Sequence, residues 1–113
     1  MINVPEFVDG KKLNVAVAKI LLENNLKISV AESLTGGEVA AKLVDIPGIS
    51  KSFIEGIVAY ANEAKMNRLS VSAETLIKFG AVSEETAKEM AEGLIKGDVT
   101  VSVSTTGIAG PTG

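Results

Sequence analysis

Ser33 stands in the stretch Val30-Ala31-Glu32-Ser33-Leu34-Thr35-Gly36-Gly37, between an apolar run and a helix-like segment from Glu38 to Val44. A hydroxyl on a strand-to-helix turn lies where backbone N–H groups converge. The first turn of a helix leaves its amides unpaired and carries partial positive charge. Such a turn can hold a phosphate or the oxyanion of an acyl transfer. Gly36 and Gly37 let a substrate come close to the backbone. A second hydroxyl- and glycine-rich stretch, Thr105-Thr106-Gly107-Ile108-Ala109-Gly110-Pro111, repeats the theme. Plainer readings stand beside these. Thr35 reads equally as the N-cap of the next helix, the two glycines as a tight turn, and the second stretch as an ordinary turn at a strand end.

The chain has no histidine and no cysteine. Ser-His and Cys-His catalysis, disulfides and most zinc sites are therefore excluded. A base for Ser33 has to be a lysine or a carboxylate. Lys65 lies early in a predicted helix, Glu32 adjoins Ser33, and Glu63 lies near Lys65. A lysine base must be neutral near pH 7, and burial or the positive end of a helix lowers its pKa from about 10.4. Lysine is usually exposed, so a solvated Lys65 is the default reading. Tyr60 and Asn62 have equally plain readings, as a cover of the core edge and as a helix cap. Glu84, Glu85, Glu89 and Glu92 read as a solvated helix face.

The elements that must position these groups alternate in type. Asp9-Gly10 is a turn. Leu13, Val17, Ile20 and Leu21 recur at helical spacing, and Asn24-Asn25 ends that segment. Lys27 to Ala31 reads as a strand. Glu38 to Val44 reads as a helix with Val39, Ala40 and Leu43 on one face, stopped by Ile46-Pro47-Gly48. Phe53 to Tyr60 is mostly apolar and β-branched, which predicts a buried strand. Gly56 within it marks a bulge or a close backbone approach. Asn62 to Leu69 reads as helical. Ser72 caps a short helix through Lys78 that Gly80 ends. Ser83 opens the clearest helix, with Ala87, Met90, Ala91 and Leu94 inward and Gly97 closing it. Val99 to Thr105 alternates and reads as a strand buried on one face.

Strands alternating with helices predict an α/β fold on a mostly parallel or mixed sheet. In such a sheet the loops after adjacent parallel strands meet at the carboxyl ends, which would gather Ser33, the Tyr60-to-Lys65 segment and the Thr106 loop. Length and composition fit a single globular domain over residues 1–113: 46% of residues are hydrophobic and 22% charged, which argues against disorder. Aromatics are only 4%, so Val, Ile, Leu and Ala must build the core. The net charge of −3 with no basic cluster argues against direct nucleic-acid binding. No signal peptide and no apolar run of about 20 residues is visible, so the chain reads as cytoplasmic with no membrane partner. Three strands leave a raw edge, to be completed by residues beyond 113 or by another chain, and such an edge favours a homo-oligomer.

Four stretches together resemble the C-terminal domain of the CinA family, the competence/damage-inducible proteins. They are Ala31-Glu32-Ser33-Leu34-Thr35-Gly36-Gly37, Gly56-Ile57-Val58-Ala59-Tyr60-Ala61-Asn62-Glu63-Ala64-Lys65, Gly80-Ala81-Val82-Ser83-Glu84-Glu85 and Thr106-Gly107-Ile108-Ala109-Gly110-Pro111. The resemblance runs from about Leu13 to the end. It implies a three-layer α/β/α sandwich, and for active members nicotinamide-nucleotide amidohydrolase activity, converting nicotinamide mononucleotide to nicotinate mononucleotide and ammonia. It implies Ser33 and Lys65 as a catalytic dyad with no metal and no cofactor. Thr35, Gly36, Gly37, Tyr60, Asn62, Thr106, Gly107, Ala109 and Gly110 are implied around a small nucleotide substrate. The alternative is a non-catalytic module binding a nucleotide or a protein partner in competence or DNA damage; a further alternative is an amidase for another amide. This chain departs from the family pattern in having Leu34 where Cys is common, in lacking the N-terminal domain of larger members, and in stopping before the strands and helix that follow the Gly-Pro loop. A molecule ending at Gly113 is expected to have reduced stability and activity.

Overall fold

The computed structural model describes residues 13–108. The Asp9-Gly10 turn and the Ala109-Gly110 end of the last loop lie outside them. In chain order the elements are α1 (Leu13–Glu23), β1 (Ile28–Glu32), α2 (Glu38–Val44), a 3-10 turn (Ile49–Lys51), β2 (Phe53–Val58), α3 (Asn62–Leu69), α4 (Ala73–Phe79), α5 (Glu84–Glu92) and β3 (Val101–Ser104). The sheet is entirely parallel, in the order β2-β1-β3. Helices cover both faces, so the chain is an α/β fold of the expected kind.

β1 is the central strand and every residue in it is buried. Its side chains alternate between two cores, as the period-2 geometry of a strand requires. Ile28 and Val30 join Ala18, Leu21, Leu43 and Ile49 under α1 and α2. Ala31 joins Ala59, Leu69, Val71, Met90 and Leu94 under α3 and α5. The next two residues continue the alternation, so Glu32 is on the α2 side and Ser33 on the α3 side.

β2 is not the buried strand that its apolar sequence predicts. It is an edge strand, and Ile54 and Val58 are about half exposed. Hydropathy reports what a strand would bury if covered on both faces. It does not report which strand is central. Register slips opposite Ile28–Ser29, skipping Ile54, whereas Gly56 marks a close approach. A Cβ there would sit 3.2 Å from both Ala40 Cβ and Val30 Cγ2.

On the other face, Ser72 and Ser83 cap α4 and α5 by accepting the amides of Thr75 and Thr86, at 3.0 and 3.1 Å. These amides are among those a helix cannot pair internally. Glu89 is not merely part of a solvated face. It accepts the Ser72 amide at 2.8 Å and the Thr75 hydroxyl, tying α5 to the start of α4. These bonds hold its carboxyl below the usual range. α5 stops at Glu92 rather than reaching Gly97. Gly93 lies against the end of α3, where a Cβ would sit 2.0 Å from the Leu69 carbonyl oxygen. In β3, Ser102 and Ser104 donate to the Ala91 and Ala87 carbonyls of α5, so the polar face of that strand points at a helix.

Candidate functional site

All three strands run the same way, so the loops that follow them converge at the carboxyl end of the sheet. The Ser33 loop follows β1, the Tyr60-to-Lys65 segment follows β2, and Thr105-Thr106-Gly107 follows β3. Ser33 and Lys65 meet there. The Lys65 Nζ donates to Ser33 Oγ at 3.1 Å and to the Tyr60 carbonyl oxygen at 2.7 Å.

Lys65 is 1% exposed, against the default expectation of a surface lysine. It sits in the first turn of α3, on the face turned to the sheet, and parity at the end of β1 directs Ser33 to the same side. No carboxylate pairs with the Lys65 ammonium among the described residues. Burial therefore acts without compensation and pushes the pKa of its amine down. A neutral amine keeps its bond to Tyr60 O and turns its lone pair to the Ser33 hydroxyl, which then becomes the donor.

Glu32, although adjacent to Ser33 in sequence, is on the other face of the sheet and cannot serve as its base. It is 1% exposed. One oxygen accepts the Thr35 hydroxyl at 2.6 Å and the amides of Gly37 and Val39 at 3.2 and 2.8 Å; the other accepts the Ala40 amide at 2.8 Å. Burial alone would raise its pKa. The Thr35 hydroxyl and the amides of Ala40, Val39 and Gly37 outweigh that and hold it below the usual carboxylate range. Glu32 thus does for α2 what a capping side chain does elsewhere. Thr35 is not the N-cap: Gly37 holds that place, with φ of 112°, after Gly36 at 61°. Both angles lie where glycine is at ease and other residues are strained.

This arrangement alters the expected oxyanion donors. The Gly37 amide is taken by Glu32, and the Gly36 amide by the Ser33 carbonyl at 3.0 Å. Among the described residues no hydrogen bond engages the amides of Leu34 and Thr35. The amide that follows a nucleophile is a recurrent oxyanion donor.

The other expected site residues fall around this centre unevenly. Tyr60 has an exposed side chain, 60% accessible, and contributes its carbonyl to Lys65. Asn62 is exposed and begins α3; Ala61 is the N-cap, without a side-chain bond. Thr35 bonds Thr105 as well as Glu32. Thr106 donates to the Ala81 carbonyl at 2.7 Å, which anchors its loop to the segment before α5. Gly107 faces Leu34, whose Cδ1 would lie 3.2 Å from a Cβ placed there. Leu34 therefore packs against the third loop rather than into either core. Ala109 and Gly110 lie outside the described residues. Sequence reasoning placed Thr105 in the second glycine-rich stretch but gave it no role; its hydroxyl accepts the Ser33 amide at 3.3 Å. It also missed the anchoring part played by Glu32. The signal available for Glu32 was a helix opened by Gly37 with no Ser, Thr, Asp or Asn in the capping place.

A cavity of about 560 Å³ lies away from this centre, lined by Leu13, Val17, Ile28, Val39, Leu43 and Val103 among others. It touches neither Ser33 nor Lys65. Among the described residues no cluster of three or more His, Cys, Asp or Glu side chains is placed to hold a metal ion. Among them also, no helix is long and apolar enough to cross a membrane.

Comparison with known proteins agrees with the motifs. A CinA-like protein of Kosmotoga olearia is 57% identical over 107 residues, covering 94% of this chain and 26% of the relative. The competence/damage inducible protein CihA of Agrobacterium tumefaciens superposes with a TM-score of 0.87 at 40% identity, over 96% of this chain and 68% of that one. A CinA superfamily protein of Escherichia coli superposes with a TM-score of 0.88 at 36% identity, over 98% and 67%. The chain thus spans about a quarter of the length of the curated relative. The model of the CinA C-terminal domain matches residues 10–113, and the chain belongs to that family.

Proposed function

We propose that this chain is an amidohydrolase that uses Ser33 as nucleophile and Lys65 as general base, acting on the carboxamide of nicotinamide mononucleotide. The observation that carries the reading is Lys65 itself, a buried amine with no carboxylate partner among the described residues, 3.1 Å from a serine hydroxyl. A buried lysine with a lowered pKa next to a hydroxyl is an arrangement that activates a nucleophile. The family resemblance supports the choice of nucleotide.

The steps follow from these groups. Ser33 Oγ attacks the carboxamide carbon while Lys65 Nζ takes its proton. Charge gathers on the carbonyl oxygen, and the Leu34 and Thr35 amides, unengaged among the described residues, are the donors this reading assigns to it. As the tetrahedral intermediate collapses, the C–N bond breaks and the Lys65 ammonium gives its proton to the departing nitrogen, which leaves as ammonia. Water then attacks the Ser33 ester, losing a proton to Lys65. Breakage of the ester C–O bond releases the carboxylic acid, and the proton returns to Ser33 Oγ. The Tyr60 carbonyl holds the amine in place throughout.

The test is ammonia release from nicotinamide mononucleotide by the wild type, Ser33→Ala and Lys65→Ala, each checked for folding by circular dichroism. Release by the wild type with a fall of at least about a thousandfold in both variants supports the dyad. Equal release by wild type and Ser33→Ala excludes it. No release by a folded wild type shifts the weight to a binding module.

A further inference from the structure

We propose that Glu32, Thr35 and Thr105 form a one-directional hydrogen-bond relay that fixes the backbone of Ser33, making Glu32 and Thr105 positioning residues for the nucleophile. The proposal deepens the amidohydrolase reading and rests on it for its kinetic consequences.

Counting protons settles the direction of the relay. An ionised Glu32 has no hydrogen to give, so the Thr35 hydroxyl donates to it at 2.6 Å. That uses the single hydrogen of Thr35. The 2.8 Å contact between the Thr35 and Thr105 hydroxyls must then be donated by Thr105. With its own hydrogen committed, Thr105 Oγ1 faces the Ser33 amide as an acceptor, at 3.3 Å. Every proton has one place, from the Ser33 N–H through Thr105 and Thr35 to the carboxylate. Bonds aligned in this way polarise one another, most of all where one end is a charge.

The relay crosses the sheet. Its anchor is a carboxylate on the α2 side, fixed by three backbone amides of that helix and its cap. Its far end is the amide of a residue whose side chain points to α3. β3 is drawn in as well, since the Thr105 amide donates to the Ala31 carbonyl at 2.9 Å. Ser33 is therefore held from the two strands β1 and β3, while its hydroxyl meets a lysine carried behind the third. Small displacements of a nucleophile are costly, since about 1 Å can cost roughly a hundredfold in rate.

The experiment compares Thr105→Val, Thr105→Ser and Glu32→Gln in the full chain. Val matches the shape of Thr without the hydroxyl, Ser restores the hydroxyl, and Gln turns one carboxylate acceptor into a donor facing backbone amides. With nicotinamide mononucleotide as the probe substrate, kcat is expected to fall at least about tenfold in Thr105→Val and Glu32→Gln, with KM changed less than about threefold. Thr105→Ser is expected to recover most of the loss. The double variant is expected to fall no further than the worse single one, because both act through one chain of bonds. The midpoint of the pH–rate profile, which belongs to Lys65, stays in place. A second readout needs no turnover: the Ser33 amide exchanges its hydrogen faster in Thr105→Val than in wild type and Thr105→Ser. Unaltered kcat in Thr105→Val, or a Thr105→Ser variant as impaired as Thr105→Val, overturns the positioning role. Unaltered exchange at Ser33 overturns the relay itself. A folded wild type that releases no ammonia defeats the amidohydrolase reading, and exchange then decides the relay alone. If Glu32→Gln does not fold, the two Thr105 variants carry the test.

Discussion

Replacing Lys65 by Met tests the central claim that this amine is forced toward neutrality by folding. Met has nearly the same length and removes only the titrating group. In the wild type, burial lowers the folded pKa while the unfolded chain keeps the ordinary value of about 10.4. Below the folded pKa both states carry the proton, and the cost of burying a charge is felt in full. Between the two values the unfolded chain binds more protons than the folded one. Stability then rises with pH, at up to about 1.4 kcal/mol per unit for this single group. Above about 10.4 both states are neutral and the cost is gone. The variant has none of this dependence. It also leaves Ser33 Oγ and the Tyr60 carbonyl without the bonds they make to Nζ, at about 1 kcal/mol each, and that loss does not vary with pH. The quantity to measure is therefore a slope. Urea unfolding of both proteins at steps from about pH 6 to pH 11 gives the difference in stability, from which all other titrating groups cancel. The wild type is expected to gain on Lys65→Met as pH rises, within a window that closes at about 10.4. Parallel curves across that window refute the reasoning, because they mean that Lys65 titrates alike in the folded and unfolded chain.

Other outcomes follow from the same geometry. If neutral Lys65 is the base, kcat/KM for ammonia release rises with pH to a plateau, with its midpoint below about 10.4; a midpoint at or above that value contradicts the assignment. Gly93→Ala forces a methyl to within 2.0 Å of the Leu69 carbonyl oxygen and is expected to cost roughly 3 kcal/mol or more in urea unfolding; a loss below about 1 kcal/mol means that α3 and α5 part easily. Glu89→Gln weakens the acceptor shared by Ser72 and Thr75, with an expected cost of about 1–2 kcal/mol near neutral pH. Because the folded carboxyl is held below its usual range, the wild-type advantage is present above about pH 4.3 and disappears as pH falls through the folded value; an advantage that persists in acid contradicts it.

Much of the fold was legible because local signals and tertiary placement agree. Ser72 and Ser83 are capping residues in a position to accept an amide, and each does so. The alternation of strands with helices implied a mostly parallel or mixed sheet, and, where the strands are parallel, the meeting of three loops. The failures have a common cause, which is that tertiary position is not written in hydropathy. Phe53 to Val58 has the composition of an inner strand and lies at the edge. Lys65 has the usual marks of a surface residue, and only its place on the inner face of α3 buries it. Glu89 lies in a run of acids that reads as solvent-facing, but α4 comes back across it. Position 93, just after α5, has no room for a Cβ because of a neighbour 24 positions away in sequence, the Leu69 carbonyl.

The end of β1 shows how one strand can divide two duties between adjacent residues. Period-2 geometry sends Glu32 and Ser33 to opposite faces, so a carboxylate and the proposed nucleophile that touch in sequence lie in separate surroundings. On one side Glu32 meets four donors, stays charged and holds the start of α2. On the other, Lys65 meets no counter-charge among the described residues, and burial pushes it toward the neutral form. Had both side chains shared a face, the carboxylate would have paired with the ammonium and raised its pKa, which would disable the base proposed here. A one-residue shift in the register of β1 would exchange the two environments, setting a serine among unpaired amides and a glutamate against the lysine. The buried alternation from Ile28 to Ala31 resists such a shift, since it would also move Ile28 and Val30 out of the core beneath α1 and α2. The chemistry proposed for this chain therefore depends on the same apolar pattern that sets the strand.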